Sequence, residues 1–252
     1  MPANQNTRWA LKDFAKILGL EPASGRKWTI VGGQAVNFWA SHYLRREPEL
    51  AAFEPFTSKD LDLVGDHKDV EALAKRSGTK PTIPRRSAAS PIVAIFKFET
   101  PLGALTVEVL NGLAHLTPAQ VEAQAIALES ITENPRVSVL NPIACLIDKI
   151  GNLARFEQTD RQDLRHVQIL IHCTRAFLHE AVHDAMRGGV EPRQCVKLLE
   201  QVLSITRSSA AASAAQKYDI RWTGLWPYDA LCEAKVEQIQ RFVEHRLPKR
   251  PD

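Results

Sequence analysis

WTIVGGQAVNFWASHYLRR at 28–46 and DLDLV at 60–64 decide how this chain folds. WTIV is a short β-rich run that enters Gly32-Gly33, and QAVNFWASHYLRR follows with helical composition until the Glu47-Pro48 step stops it. DLDLV alternates acid with aliphatic, the period-2 mark of a strand with one buried face. Working outward, WALKDFAKILGL (9–20) and HKDVEALAKRSG (67–78) have apolar residues at helical spacing and end at or beside glycine. PIVAIFKFE (91–99) and ALTVEVL (104–110) read as a hairpin joined by TPLG, and VSVL (137–140) can add a last strand. From Asn141-Pro142 the pattern turns helical, over 142–156, 161–178, 193–206 and 229–246, with SSAAASAAQ (208–216) open between helix and connection. The expected architecture is α/β in the α+β sense. Residues 1–135 form a mixed β-sheet with flanking helices, and residues 136–252 form a C-terminal helical bundle.

The chemistry sits on the alternating strand. Asp60 and Asp62 leave the same face with Cα atoms roughly 6.5–7 Å apart. Glu108, between Val107 and Val109, repeats the pattern in a second strand and can join that face. Three converging carboxylates repel one another unless cations sit among them, and hard oxygen donors favour Mg²⁺ or Mn²⁺. A pair of such ions clamps the attacking and leaving oxygens of an in-line displacement at phosphorus. Gly32 and Gly33 join a strand to a helix N-terminus, where free N–H groups and the dipole attract an anion such as phosphate. Phosphoryl or nucleotidyl transfer is the expected reaction class.

The ordered set Val31-Gly32-Gly33, Asp60-Leu61-Asp62 and Glu108 resembles the nucleotidyltransferase superfamily with a polymerase β-type catalytic domain. The likeness spans about residues 28–110. NPIACLIDKIGNLARFEQTDRQDLRHVQIL further resembles the helical motif of AbiEii-like toxin nucleotidyltransferases, with Lys149, Arg155 and Asp163 at its charged positions. The resemblance implies metal ligation by Asp60, Asp62 and Glu108, and NTP contacts from Gly32, Gly33, Ser58 and Lys149. It also implies a catalytic part for Lys149 and Asp163. The acceptor would be a hydroxyl of RNA, tRNA or protein, and the context a toxin–antitoxin or phage-defence system with an antitoxin partner. Two positions depart from the family pattern: Phe56 stands where an arginine is common, beside Lys59, and Glu108 stands where aspartate is common.

A competing motif is His179-Glu180-Ala181-Val182-His183, a literal H-E-x-x-H. On a helix it sets two imidazoles on one face for Zn²⁺, with Glu180 as general base and Glu200 as a distant third ligand. Asp184 and Met186 depart from the extended zincin pattern. A third reading is an inactive nucleotidyltransferase fold that binds nucleotide or RNA. Arginines 161, 165, 175, 187, 193 and 207 would serve a phosphate backbone if they share a face. Trp222, Trp226 and Tyr228 suit packing better than base stacking.

The composition is compatible with all three readings. The chain has 252 residues, 44% hydrophobic and 24% charged, which excludes collagen-like, disordered and disulfide-scaffold classes. The net charge of +3 permits a polyanionic partner without demanding one. Cys145, Cys173, Cys195 and Cys232 form no C-x-x-C pair, so they read as reduced thiols. MPANQNTRWALKDF has no signal-peptide core and no stretch approaches a membrane span, so the expectation is a cytoplasmic protein without a membrane partner.

Overall fold

The computed structural model describes residues 7–25, 27–84, 90–128, 137–159 and 161–250. Contacts divide the chain into two units, 1–41 with 55–148 and 42–54 with 149–252.

The first unit is built on a six-stranded mixed sheet of order β3-β4-β2-β1-β6-β5. Its strands are β1 (Trp28–Val31), β2 (Asp60–Val64), β3 (Ile92–Thr100), β4 (Gly103–Leu110), β5 (Ala125–Leu128) and β6 (Val137–Leu140). β1 is central and apolar because it is covered on both faces: Trp28, Ile30 and Val31 are all buried. β2 is antiparallel to β1 and parallel to β4, and β3 closes onto β4 as the expected hairpin. Leu61, Leu63, Val107 and Val109 fill the core face, whereas Asp60, Asp62, Thr106 and Glu108 are half-buried on the opposite face.

Helices of this unit follow their local signals. The 9–20 segment is a 3₁₀ turn, Leu11–Phe14, running into one α-turn, α1 (Ala15–Leu18). α2 (Gly32–Tyr43) starts at the glycine pair. α3 (His67–Ser77) is capped by Asp66, whose side chain accepts from the Lys68 and Asp69 N–H groups, and ends at left-handed Gly78. α4 (Pro118–Ala123) and β5 were not legible in the sequence, although Thr117, Pro118 and Gln120 form a capping box there. α5 (Pro142–Arg155) follows β6, and the division between units falls within it.

The second unit is helical, with α6 (Asp163–Met186), α7 (Pro192–Thr206), α8 (Ser209–Tyr218), α9 (Tyr228–Glu233) and α10 (Glu237–His245). The small-residue run is helix, with the Ser208 hydroxyl capping Ala211 N–H. The single helix expected over 229–246 is two, because Ala234 and Val236 are extended. Trp226 is buried and lies 5.9 Å from the Phe242 ring, so it packs rather than presenting a stacking surface. No described helix is long and apolar enough to cross a membrane.

The compact units do not divide at the expected 135/136 boundary. β6 is hydrogen-bonded between β1 and β5, which keeps 137–140 and the start of α5 with the sheet. Residues 42–54 join the helical unit, where the buried Glu47 carboxylate accepts from the Arg175 guanidinium on α6.

Candidate functional site

The β2–β4 register decides which carboxylates share a face. Asp62 lies opposite Glu108, Asp60 opposite Thr106 and Leu61 opposite Val107. Paired residues of adjacent strands point the same way, so Glu108 shares a face with both aspartates. Burial pushes the Glu108 carboxyl above the ordinary glutamate range, and the nearby Asp60 charge pushes it further. That second cause is an electrostatic sign that Asp60 and Glu108 sense each other. The three are not drawn to a point. Among the described residues, only Glu47, Glu49 and His172 bring three metal-type ligand atoms within 4.8 Å of one another. The sheet carboxylates do not meet that 4.8 Å spacing.

Gly32 sits directly beside Asp62. Its φ is +63°, and a Cβ built on it would meet Asp62 Oδ2 at 1.8 Å. The glycine is therefore needed for the approach of the Asp62 carboxylate to the start of α2, not simply for the approach of a phosphate. Gly33 is buried in the first turn of α2. Ser58 is also buried, and its Oγ donates to Asp60 Oδ1 at 3.2 Å. Phe56 is half-buried and Lys59 exposed.

A residue that sequence reasoning missed holds this corner. Gln34, wholly buried in α2, donates from Nε2 to the Trp9 carbonyl at 2.9 Å. That same carbonyl accepts from Ser58 N–H at 2.9 Å, and Trp9 N–H donates back to the Ser58 carbonyl at 2.7 Å. Gln34 thus positions Ser58, which in turn bonds Asp60. A glutamine in a helix carries no sequence signal for such a role.

Lys149 and Asp163 lie in the helical unit and face each other. Lys149 Nζ is 3.3 Å from Asp163 Oδ1, and Arg161 Nε donates to Asp163 Oδ2 at 2.6 Å. Burial raises the Asp163 carboxyl, but the two cations outweigh it and hold it below the usual aspartate range. Both members of the pair are buried. Arg155 ends α5 with its guanidinium 5.4 Å from the Phe156 ring centroid.

The H-E-x-x-H segment is helical, and its histidine rings lie 4.4 Å apart. Burial, His183 and Arg46 hold His179 below the ordinary imidazole range. Glu180 is already engaged: it accepts from Tyr43 Oη at 2.7 Å and from Arg46 at 2.8 Å. Glu200 pairs with Arg246 and lines a different hollow from the two histidines. The Glu47–Glu49–His172 group is bridged by Arg175, which bonds both glutamates, so a cation already sits among them. The four cysteines are free thiols, three of them buried.

Compared with protein-family models, with curated proteins and with solved structures, the chain matches none.

Proposed function

We propose that this chain is a divalent-metal-dependent nucleotidyltransferase that moves a nucleoside monophosphate from an NTP to a hydroxyl acceptor. The observation carrying the reading is the Asp62–Glu108 pair in register, with Asp60 on the same face and Asp62 lying against Gly32 at the start of α2. The donor set fits Mg²⁺ or Mn²⁺: all three groups are carboxylates, half-buried on one face of the sheet. Asp60, Asp62 and Glu108 would hold the metal, which supplies Lewis-acid stabilisation of charge on the phosphate oxygens.

The remaining roles fall to the chain's own groups. N–H groups at the α2 N-terminus bind phosphate oxygens. Ser58, fixed by the Trp9 bridge, orients Asp60. Glu108 is the carboxyl whose raised proton affinity suits it to accept a proton from the acceptor hydroxyl, which attacks the α-phosphorus as pyrophosphate departs. The resemblance of the 141–170 region to AbiEii-like toxins supports an RNA, tRNA or protein acceptor and a toxin–antitoxin or phage-defence setting. Its lysine enters this reading through the fold, since Lys149 is engaged by Asp163.

The test is incubation of the full chain with each labelled NTP, Mg²⁺ or Mn²⁺, and total RNA or protein. Transfer of label that vanishes in both Asp60→Asn and Asp62→Asn is the expected result. Absence of transfer with every NTP and both metals, or transfer untouched by these substitutions, overturns the reading.

A further inference from the structure

The carboxylate face of the sheet continues into a hollow of about 430 Å³ that none of the roles above uses. Its floor is Thr29 of β1 and Ser138 of β6, directly opposite each other in the parallel pair. Val64 of β2, opposite Thr29 on the other side, lies beside them. Ser138 is only 6% exposed and Thr29 is half-buried, and both line the hollow. Two hydroxyl-bearing residues side by side in a hollow form a polar edge for a ligand. Val64 and Val121 supply apolar surface on either side.

Charge selects the ligand. Among the described residues, Lys27 is the one cation lining the hollow, against the carboxylates of Asp66, Asp69 and Glu122. A phosphate is repelled there, whereas an uncharged flat ring with polar atoms on its rim is accommodated. Position agrees: Val64 is two residues beyond Asp62 on the same face, a step of roughly 6.5–7 Å. That is within the reach of one ribose between a phosphate and its base.

We propose that this hollow seats the nucleobase of a nucleoside, its edge bonded by the Thr29 and Ser138 hydroxyls. The placement of the attached phosphate rests on the transferase reading; the recognition of the base does not.

Adenosine, guanosine, cytidine and uridine, without phosphate or divalent metal, are titrated into the full chain by calorimetry. At least one nucleoside binds the wild type, and its affinity falls about tenfold or more in the Thr29→Val/Ser138→Ala double variant, which loses two hydrogen bonds. Ala125→Phe, which fills the hollow from β5 and leaves both hydroxyls in place, weakens binding as well. No nucleoside binding by a folded wild type, or equal binding by wild type and both hollow variants, overturns the proposal. Nucleotidyl transfer with an unaltered KM for NTP in the double variant removes the hollow and leaves the transferase. Nucleoside binding lost in the hollow variants, with no transfer under any condition, removes the transferase and leaves the hollow.

Discussion

Gly32 and Asp62 share a space that would otherwise hold one more side chain: a Cβ on Gly32 would stand 1.8 Å from Asp62 Oδ2 and 2.8 Å from its Cγ. Gly32→Ala therefore has two effects. It forces an L-residue to φ +63°, which costs about 1–2 kcal/mol, and it displaces the Asp62 carboxylate. In an Asp62→Ala background the clash with the carboxylate is gone, leaving the backbone effect and a tight 3.1 Å contact with the Cβ at position 62. Denaturant unfolding of the four proteins in this cycle is expected to show a coupling of about 0.5–3 kcal/mol. Strict additivity would show that the two residues do not crowd each other.

Glu108 makes stability depend on pH in a defined direction. Its carboxyl is raised by burial and by Asp60, so the folded state holds a proton more tightly than the unfolded chain. Its contribution to stability is present below the ordinary glutamate range and is lost as pH rises through the higher folded value. Glu108→Gln is expected to flatten that part of the profile. Asp60→Asn should move the Glu108 titration downward without bringing it fully to the ordinary range, because burial persists. Carboxyl ¹³C titration reads both.

Divalent cation should oppose that loss. At pH 7, Mg²⁺ or Mn²⁺ raises the melting temperature of the wild type in a concentration-dependent way, as expected for a ligand that binds only the folded state. The shift is abolished in Asp62→Asn and strongly reduced in Glu108→Gln. Ca²⁺ and monovalent salt at equal ionic strength serve as controls for general screening.

In the helical unit, Lys149→Met strips one cation from a carboxylate that is only 3% exposed. Arg161 stays, so the expected destabilisation is near the lower end for a broken buried pair, about 3 kcal/mol. The sign on the acid side is opposite to that of Glu108. Asp163 is held low despite its burial, so its stabilisation is present above the ordinary aspartate range and lost as pH falls through the depressed value. In Lys149→Met that loss begins at higher pH, and Lys149→Met/Asp163→Leu recovers part of the stability. Urea unfolding across pH checks all three statements.

Tyr43 and Arg46 both bond Glu180, but their surroundings differ. Tyr43 is 2% exposed and donates to a carboxylate, whereas the Arg46–Glu180 pair is roughly two-fifths exposed on both sides. Tyr43→Phe is therefore expected to cost about 1.5–3 kcal/mol, and Arg46→Ala no more than about 1 kcal/mol. Thermal or urea unfolding of the two variants distinguishes a structural anchor from a surface ion pair. Arg46→Ala proving the costlier change would show that the Tyr43–Glu180 bond is not the anchor.

Local pattern alone determined a great deal. The alternation in DLDLV and ALTVEVL fixes which side chains of each strand lie together, because the pleat sends successive residues to opposite faces. The glycine that closes α3, Gly78, was equally readable, since capping chemistry acts over a few residues. What pattern could not supply was the register between segments far apart in the chain. Asp62 meets Glu108, and Thr29 meets Ser138, only because strands from distant stretches pair at one offset; a slip of a single residue would turn each partner to the other face. β5 was missed for the same reason: four residues, AIAL, become a strand by pairing with β6. The H-E-x-x-H segment shows the converse. Its spacing sets His179 and His183 on one helical face, while tertiary contacts gave Glu180 to Tyr43 and Arg46. Spacing along the chain sets which groups can face the same way; the energy of packing and of satisfying buried polar atoms selects their neighbours.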